Sequence, residues 1–511
     1  MKTRICVPIV ERTLDGCAAA IKSVPGAADL IEIRLDYLDD LTSENSAAQI
    51  EALLKARDTF YVLTFRPQEQ GGVRQLSKND RLNFWGQLRP LILRKRKILC
   101  DIEWDIASET TLDWLKPELR IVSYHNLNDS PETENQIFKS LLDRPARLIK
   151  LAVKGNSISD NVRIKDNLEL ARQKNREMIG IVMDEPGLVS RVLGPDWGSY
   201  LTFASASKDK GSAPGQITID ELINRYRIRN ITDDTLFTGL IGNPVSHSVS
   251  PAMHNAAFIA TRMDGVYLPM PVNDLSEFLK RIVRPSTQEL DWNLRGFSVT
   301  IPHKVAIIPL LDKLTDTAKA VGAVNTVTVE GDKLIGDNTD VQGALVPLGR
   351  QFHWSALRIA ILGTGGAARA VTYGLKKALC DVTIFGKRAN AATDLAKEFN
   401  AKSVNWNRLG EDHFDIVINA TPIGMAGYES ENTIPDEAIT NCDFYYDLVY
   451  NPLETDLMRT AASAGVEVIG GLEMLVAQGA EQFKLWTLKD APYEVMMEAA
   501  LKELTVERKA S

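Results

Sequence analysis

The stretch RLIKLAV, residues 147–153, is a short apolar run with a single lysine, Lys150, near its centre. A run of this length and composition is typical of a strand that is buried on both faces. Burial disfavours an ammonium group and lowers the pKa of a lysine, so a lysine here needs either a partner carboxylate or a chemical role. A lysine that is neutral near pH 7 can attack a ketone and form a Schiff base. Both roles are open for Lys150.

Eight such β-rich runs, separated by helical stretches, fill the first 220 residues. Eight strand–helix units in a segment of this length predict a (β/α)8 barrel. The competing fold, a doubly wound sheet, needs a glycine-rich phosphate loop after an early strand, and this half of the sequence has none. The runs are RICVPIV (4–10), LIEIRLD (30–36), YVLTFR (61–66), KILCDIEW (97–104), RIVSYH (120–125), RLIKLAV (147–153), MIGIVM (178–183) and YLTFAS (200–205).

Polar residues lie toward the ends of several predicted strands. They are Glu32 and Arg34 on the second strand, Arg66 on the third, His125 on the fifth and Lys150 on the sixth. Because function in a (β/α)8 barrel gathers at the carboxyl ends of the strands, we expect these side chains to form one site. The glycine-containing loop after the eighth strand is either a lid over that site or an ordinary connection.

A second α/β region begins after the polar stretch ELINRYRIRNITDDT at 221–235. Within it, RIAILGTGGAARAVTYGLKKA at 358–378 joins a buried strand to a helix through Gly363, Gly365 and Ala368. The first glycine permits a tight turn, the second lets the backbone approach a pyrophosphate, and the alanine lets the helix pack closely on the strand. The stretch therefore predicts a Rossmann dinucleotide-binding domain.

The next predicted strand, DVTIFGKR at 381–388, indicates which dinucleotide binds. An NAD-binding fold usually ends this strand in Asp or Glu, which binds the ribose hydroxyls. Here the strand ends in Lys387 and Arg388. Two cations without a carboxylate suit a 2′-phosphate, so we predict NADP as the cofactor. A solvated basic turn is the alternative.

Lys304, which follows SVTIP, and Asp340, which ends GDNTD, form a candidate proton-transfer pair. An ammonium and a carboxylate beside a nicotinamide can pass a proton to a ketone oxygen while hydride reaches the carbon. A surface salt bridge is the alternative for any such pair.

Composition narrows the class of protein. The chain has 511 residues, 44% of them hydrophobic and 25% charged, and a net charge of −8, which argues weakly against nucleic acid and anionic membranes as partners. Five widely spaced cysteines without a C-x-x-C pair favour neither a disulfide framework nor a metal site. We find no apolar run of 18 residues and no signal peptide, and we predict a cytoplasmic protein.

The first half resembles type I 3-dehydroquinate dehydratase over nearly its whole length. The matching pieces are EIRLD (32–36), TFRP (64–67), SYH (123–125), KLAV (150–153), SR (190–191) and SAPGQ (212–216). The resemblance implies that Lys150 forms an imine with the substrate ketone and that His125 moves the protons. It also implies substrate contacts from Glu32, Arg34, Arg66, Arg191, Ser212 and Gln216.

Two positions depart from that family: MDEPG (183–187) lacks the family's glycine after its methionine, and position 70 differs in charge. A glutamate commonly stands four residues after the arginine of TFR, where it orients the histidine, and here the position holds Gln70 with Glu69 beside it. The tuning of His125 is therefore expected to differ.

The second half, residues 236–505, resembles shikimate dehydrogenase. The matching pieces are GNPVSHSVSP (242–251), SVTIPHK (298–304), GAVNTV (322–327), GDNTD (336–340), LGTGGAARA (362–370), INATPIGM (418–425), YDLVYNP (446–452) and GLEMLVAQG (471–479). The resemblance assigns proton transfer to Lys304 and Asp340. It implies substrate binding by Ser248, Ser250, Thr300, Asn325, Tyr450 and Gln478. It implies cofactor binding by Gly363, Gly365, Gly366, Ala367, Thr421 and Gly471, together with Lys387 and Arg388, although the family usually has Asn-Arg-Thr where this chain has Gly-Lys-Arg.

The order of the two halves is similar to that of the bifunctional dehydratase–dehydrogenases of the shikimate pathway. The resemblance implies dehydration of 3-dehydroquinate to 3-dehydroshikimate, followed by reduction to shikimate with NADPH. We expect a barrel over 1–234, a substrate-binding domain over 235–340 completed by 475–511, and the Rossmann domain over 341–474. Two alternatives stay open: an NAD-dependent quinate/shikimate dehydrogenase in the second half, and a quinate-sensing regulator built from inactive domains.

Overall fold

The computed structural model describes residues 3–42, 44–128, 131–213, 215–349, 356–428 and 433–510. The chain divides into two compact units: one runs to Asp234 and includes the short segments Met270–Val272 and Glu289–Asp291, and the other comprises the remainder. In the described part of the chain, no helix has both the length and the apolar character needed to cross a bilayer.

The first unit contains an eight-stranded parallel sheet in which each strand from β1 to β7 pairs with its sequence neighbour and β8 pairs with β1. The strands are β1 (Ile5–Ile9), β2 (Leu30–Arg34), β3 (Phe60–Thr64), β4 (Ile98–Glu103), β5 (Arg120–Asn126), β6 (Leu148–Val153), β7 (Glu177–Val182) and β8 (Thr202–Phe203). The helices are α1 (Leu14–Ser23), α2 (Ser46–Leu54), α3 (Lys78–Ile92), α4 (Pro131–Leu142), α5 (Asp160–Gln173) and α6 (Leu188–Leu193). The predicted (β/α)8 barrel is thus confirmed.

The barrel is closed less firmly at one place than elsewhere. Strand β8 has only two residues, whereas the sequence predicted six. Among the described residues, β7 and the segment leading into β8 are joined by the isolated bridge Met178–Ser199 and by a hydrogen bond of 2.7 Å from the Tyr200 N–H to the Met178 carbonyl. The apolar run YLTFAS therefore makes a shorter ladder than its composition suggests.

The second unit begins with a mixed six-stranded sheet in the order β10-β9-β11-β13-β14-β12. Its elements are β9 (Leu236–Gly242), α7 (Ser250–Ala260), β10 (Gly265–Pro271), α8 (Leu275–Phe278), β11 (Asn293–Val299), α9 (His303–Ala306), β12 (Lys313–Leu314), α10 (Asp316–Val321), β13 (Thr326–Glu330), β14 (Lys333–Asp337) and α11 (Asp340–Gly349). Strands β13 and β14 form a tight hairpin, because they pair antiparallel up to Glu330 and Lys333.

The second sheet of this unit is parallel, in the order β17-β16-β15-β18-β19-β20. Its elements are β15 (Arg358–Leu362), α12 (Gly366–Lys377), β16 (Asp381–Gly386), α13 (Ala389–Glu398), β17 (Lys402–Asn405), β18 (Phe414–Asn419), α14 (Asp436–Thr440), β19 (Cys442–Asp447), α15 (Asp456–Ser463), β20 (Glu467–Ile469), α16 (Gly471–Thr487) and α17 (Tyr493–Ala510). The strand order reverses between β15 and β18, the place where open α/β sheets bind nucleotides. The predicted Rossmann fold is confirmed.

Helices α11 and α16 pack against each other, and α16 also contacts β11 and β13 of the mixed sheet. Their approach depends on Gly343, because a Cβ atom at that position would lie 2.9 Å from the Met474 carbonyl oxygen and 2.7 Å from the Gln478 side chain. The close packing brings the start of α11, with Asp340, near the first turns of α16.

Candidate active sites

A cavity of about 120 Å³ in the barrel is lined by eight of the side chains singled out from the sequence. They are Glu32, Arg34, Arg66, His125, Lys150, Arg191, Ser212 and Gln216. Strands β2, β5 and β6 supply four of them, because alternate side chains of a barrel strand face the interior. The others come from segments that follow strands, so the predicted residues form one site at the expected end of the barrel.

Lys150 lies among charged groups. Its Nζ is 3.1 Å from Oδ2 of Asp101 and 4.6 Å from the centre of the Phe203 ring. The same carboxylate oxygen accepts a hydrogen bond of 2.7 Å from Nη2 of Arg66. Burial acts to raise the pKa of Asp101, but the charges of Arg66 and Lys150 outweigh it and lower that pKa to about 2. Lys150 is therefore both paired with a carboxylate and part of the cavity wall.

His125 is buried beside cations. Its Nε2 contacts Nη1 of Arg66, and its Nδ1 has no hydrogen-bond partner in the described part of the chain. Burial, followed by the charges of Arg66 and Lys150, lowers the pKa of His125 well below its ordinary value. The imidazole is therefore neutral near pH 7 and can accept a proton from a substrate carbon.

Gln70 occupies the position at which the sequence departs from the type I pattern. It ends the short turn Gln68–Gln70, which contacts β5, and its side chain lines the cavity. The side chain is buried, and no described residue donates a hydrogen bond to its Oε1 atom. Glu69 is exposed. The cavity wall thus has a neutral amide where a carboxylate would favour the protonated form of His125.

Two buried carboxylates on β4, Asp101 and Glu103, were missed by the sequence analysis. Glu103 lies between two arginines, with Oε2 3.3 Å from Nη1 of Arg81 and Oε1 3.8 Å from Nε of Arg66. Burial raises the pKa of Glu103 to about 8, more than the arginines lower it. The two carboxylates could have been identified from the run KILCDIEW, because acidic residues at alternate positions of a buried strand are as unusual as a lysine in such a strand.

The remaining polar residues of the barrel site are held by specific bonds. Arg34 binds both carboxylate oxygens of Asp36, at 2.9 and 2.7 Å. Oε1 of Glu32 accepts a hydrogen bond of 2.7 Å from the Thr64 hydroxyl. These contacts fix the two β2 side chains before any substrate binds.

Two hydrogen bonds hold the loop after β8, one from outside the loop and one within it. Nε of Arg191 donates a hydrogen bond of 3.1 Å to the Gly215 carbonyl, and Oε1 of Gln216 accepts one of 2.8 Å from the Ser212 N–H. Burial lowers the pKa of Arg191 to about 10, which leaves the guanidinium charged. Pro214, part of the SAPGQ piece, lies outside the described residues.

A second cleft, of about 390 Å³, lies in the second unit. All eight predicted catalytic and substrate-binding residues of that half line it: Ser248, Ser250, Thr300, Lys304, Asn325, Asp340, Tyr450 and Gln478. Two of the predicted cofactor-binding residues, Ala367 and Gly471, line the same cleft. The mixed sheet and the Rossmann sheet thus both contribute to one site.

Lys304 and Asp340 form the predicted pair. Nζ of Lys304 lies 2.6 Å from Oδ2 of Asp340, and the other carboxylate oxygen accepts a hydrogen bond of 2.8 Å from Nδ2 of Asn325. Oδ1 of Asn325 accepts a hydrogen bond of 2.8 Å from the Thr339 N–H, which fixes the orientation of the amide. The Lys304 side chain is 23% exposed, so it can reach a ligand in the cleft.

Polar residues in and behind the wall of the cleft form a further hydrogen-bond network that the sequence analysis did not identify. The Tyr267 hydroxyl donates to the Ser298 hydroxyl at 2.8 Å, and Ser298 donates to Oε1 of Gln482 at 2.7 Å. Ser298 and Gln482 line the cleft. Ser298 lies two residues before Thr300 on the same strand-end segment, so the period of two along a strand could have identified it.

The glycine turn after β15 has the shape that a pyrophosphate needs. Gly363 has φ of +121°, and a Cβ atom there would lie 3.0 Å from the Ala420 carbonyl oxygen. A Cβ atom at Gly365 would meet no described atom within 4 Å, so the space above this turn is open. No side-chain cap occupies the start of α12 within the described chain, and its backbone N–H groups can bind phosphate. These features fit a dinucleotide.

Lys387 and Arg388 follow the end of β16 and are both exposed. Nζ of Lys387 lies 5.3 Å from the centre of the Trp406 ring, and partial burial lowers the pKa of this lysine. Neither side chain lines the substrate cleft. Within the described ranges, no cluster of three or more His, Cys, Asp or Glu residues is arranged to hold a metal ion.

Comparison with known proteins gave matches along both halves. The family model described as type I 3-dehydroquinase matches residues 5–233. The model of the shikimate dehydrogenase substrate binding domain matches residues 240–327, and that of the shikimate 5′-dehydrogenase C-terminal domain matches 471–501.

The chain is also similar to individual proteins. The chain is 32% identical over 517 residues to the chloroplastic bifunctional 3-dehydroquinate dehydratase/shikimate dehydrogenase of Arabidopsis thaliana. The match covers 96% of this chain and 83% of the relative. The chain is 40% identical over 252 residues to the NADP(+) shikimate dehydrogenase of Maridesulfovibrio salexigens, covering 49% of this chain and 90% of the relative. A solved shikimate dehydrogenase of Thermus thermophilus, in complex with NADP(H) and shikimate, is 32% identical, with a TM-score of 0.47 and coverage of 53% of this chain and all of that one.

Proposed function

The chain belongs to the family of bifunctional 3-dehydroquinate dehydratase/shikimate dehydrogenases, and we propose that each of its two units carries one of the two activities. The barrel dehydrates 3-dehydroquinate to 3-dehydroshikimate. The second unit reduces 3-dehydroshikimate to shikimate with NADPH. The observation that carries the proposal is the presence of a separate, complete set of reacting side chains in each cavity: Lys150 with His125 in one, and Lys304 with Asp340 in the other.

In the barrel, the Lys150 ammonium first gives up a proton, and the resulting amine attacks the substrate ketone; water leaves as the imine forms. The protonated imine withdraws electrons and acidifies the neighbouring C–H bond. His125, neutral because its pKa is lowered, removes that proton and later returns it to the departing hydroxyl. Hydrolysis of the imine then releases the product and restores Lys150, so the net change is the loss of one water.

Asp101 and Arg66 prepare this step. The Asp101 carboxylate contacts the Lys150 nitrogen and the Arg66 guanidinium through one oxygen, and Arg66 in turn contacts His125. The base and the nucleophile are therefore positioned by one connected set of charges. Arg191 and Gln216, on the loop side of the cavity, are suited to the substrate carboxylate and a hydroxyl.

In the second unit, Lys304 and Asp340 handle the proton. NADPH, when bound, supplies the hydride that reduces the ketone carbon. The Lys304 ammonium donates a hydrogen bond to the ketone oxygen and then its proton, while Asp340 and Asn325 hold the lysine side chain in place. The cleft also presents hydroxyl and amide groups that suit the carboxylate and hydroxyls of the substrate, from Ser248, Ser250, Tyr450 and Gln478.

The preference for NADP is assigned to the basic edge of the nucleotide site. Lys387 and Arg388 are exposed at the end of β16, where a 2′-phosphate would lie. Each can donate a charge-assisted hydrogen bond to it, and the strand ends without a carboxylate that would repel it.

We also infer that the enzyme works in the cytoplasm, without nucleic acid or membrane as partners. All five cysteines are free thiols, which suits a reducing compartment. The Arabidopsis relative is named as chloroplastic. Fractionation of the cells that make the protein tests the location, and recovery with an organelle would contradict it.

The decisive experiment is a coupled assay with the purified chain, 3-dehydroquinate and NADPH. We expect oxidation of NADPH that depends on 3-dehydroquinate, with shikimate as the product. Comparable shikimate oxidation with NAD would favour an NAD-dependent quinate/shikimate dehydrogenase in the second half. Binding of quinate without turnover would favour a regulator.

A further inference from the structure

Asn419 and Asp447 face each other at the carboxyl edge of the Rossmann sheet. Each is the last residue of its strand, β18 and β19, and the two are partners in the parallel ladder. Nδ2 of Asn419 donates a hydrogen bond of 3.0 Å to Oδ1 of Asp447, and both side chains are fully buried. A buried carboxylate needs several donors to stay in place, and this one has four.

The Asn419 side chain also fixes the segment after β18. Its Oδ1 accepts hydrogen bonds of 3.0 Å from the Thr421 N–H and 2.6 Å from the Thr421 hydroxyl. Its Nδ2 also donates to the Ile423 carbonyl at 3.1 Å. The neighbouring Ala420 lies against the glycine turn, because its N–H donates to the Leu362 carbonyl at 2.9 Å. Asn419 thus sets the path of the chain on the cofactor side.

The segment after β19 is fixed by the same pair of residues. The Leu448 N–H donates to the Asn419 carbonyl at 3.0 Å, and the Val449 N–H donates to Oδ1 of Asp447 at 3.0 Å. The next residue, Tyr450, lines the substrate cleft, as does Leu448. One oxygen atom, Oδ1 of Asp447, therefore holds Asn419 on one side and the substrate-side segment on the other.

The second oxygen of Asp447, Oδ2, binds residues outside the two segments. It accepts hydrogen bonds of 2.8 Å from the Thr455 hydroxyl and 3.2 Å from the Tyr445 hydroxyl. Thr455 caps α15 through the Met458 N–H, and Tyr445 is buried in the hydrophobic core. The carboxylate is thus anchored to the core through Oδ2 and presents Oδ1 to the two functional segments.

We propose that Asp447 is a positioning residue that couples the cofactor side and the substrate side of the dehydrogenase site, and that Asn419 carries its effect to Thr421. The inference rests on the proposed function, since it assigns the cofactor contact to Thr421 and the substrate contact to Tyr450. Neither Asp447 nor Asn419 needs to touch a ligand. The side chains act by fixing two segments that do.

The variants Asn419→Ala, Asp447→Ala, Asp447→Asn and Tyr445→Phe of the full chain test this proposal. NADPH binding is measured by fluorescence titration without turnover, the KM for shikimate at saturating NADP+, and stability by thermal unfolding. Tyr445→Phe is the matched control, because it removes one hydrogen bond from the same carboxylate on the scaffold side only. Asp447→Ser replaces Asp447→Ala if the alanine variant does not fold.

We expect Asn419→Ala to weaken NADPH binding about tenfold and to leave the KM for shikimate within about twofold, because two hydrogen bonds to Thr421 are lost. Asp447→Ala should raise both values about tenfold. Asp447→Asn should restore both to within about threefold, since its amide oxygen can still accept from Val449 and Asn419. Tyr445→Phe should change neither.

A purely structural role would be shown if Tyr445→Phe reproduced the losses of Asp447→Ala, or if Asp447→Ala lowered thermal stability alone. An equal effect of Asn419→Ala on both ligands would overturn the division of roles. Failure of the unaltered chain to bind NADPH and oxidise shikimate would contradict the proposed function instead, and the two kinds of failure are therefore distinct.

Discussion

The Nζ of Lys150 lies 3.1 Å from Oδ2 of Asp101, the oxygen that also accepts a hydrogen bond from Arg66. One buried carboxylate thus balances two cations, one of them the proposed nucleophile. Removing its charge would leave both cations buried without their shared counter-ion, which typically destabilises a protein by about 3–5 kcal/mol.

We therefore expect Asp101→Asn to lower both barrel stability and dehydratase activity, while shikimate oxidation by the second unit is unchanged. Chemical unfolding and the two separate assays measure these effects. Asp105→Asn is the control, because Asp105 pairs with Arg81 at the same β4 edge, away from Lys150. Full dehydratase activity in Asp101→Asn would show that the shared carboxylate has no part in placing the lysine.

Borohydride reduction in the presence of 3-dehydroquinate should trap a covalent adduct on Lys150. The reason is that Lys150 lines the cavity beside a neutral histidine, as a Schiff-base lysine requires. Peptide mass spectrometry locates the adduct. Lys150→Met should abolish it and Lys154→Met should not, and an adduct on Lys154 would refute the assignment.

Gln70→Glu should shift the acidic limb of the dehydration pH profile to higher pH. In the unaltered chain the pKa of His125 is held well below its ordinary value, so the base stays active as the pH falls below 6.5. A carboxylate at position 70 favours the imidazolium and raises that pKa, which removes the free base at a higher pH. Gln68→Glu, on the exposed side of the same turn, adds the same charge outside the cavity. Identical profiles for Gln70→Glu and the unaltered chain would contradict the prediction.

NADPH should be preferred over NADH by about 2–3 kcal/mol in transition-state binding, since hydrogen bonds to charged groups contribute about 1.5–3 kcal/mol. Replacing both Lys387 and Arg388 by alanine should raise the KM for NADPH strongly and leave that for NADH nearly unchanged. The double replacement of Lys376 and Lys377 by alanine, in the last turn of α12, removes the same charge elsewhere. Equal kcat/KM for NAD and NADP in the unaltered chain would defeat the prediction.

Fragments 1–234 and 235–511, expressed separately, should each fold and keep their own activity. The barrel cavity is lined by residues up to Gln216 and the dehydrogenase cleft by residues from Leu240 onward, so each site is built within one unit. Solubility, thermal unfolding and the two assays measure the outcome. Soluble but inactive fragments would show that one unit completes the site of the other.

The sequence predicted the barrel and the Rossmann fold because both rest on local patterns: buried apolar runs at regular spacing and a glycine turn between strand and helix. It also identified the residues that line each cavity, because they lie at the ends of predicted strands or within motif pieces. It missed Asp101 and Glu103, whose role follows from which strand faces Lys150 and Arg66. Asn419 and Asp447 lie in recognised pieces, yet their pairing depends on the register of two strands, which the sequence does not display.

The short eighth strand has a consequence for how the barrel moves. Each neighbouring pair from β1 to β7 is held by a ladder of several residues, whereas β8 pairs with β1 over two residues and the segment before it meets β7 at a single bridge. Backbone amides at this junction of β7, β8 and β1 should exchange with solvent deuterium sooner than those of β2 to β6, because fewer contacts must break to expose them. The loop carrying Ser212 and Gln216 follows this junction directly, so one wall of the substrate cavity is attached to the part of the barrel that should open most readily.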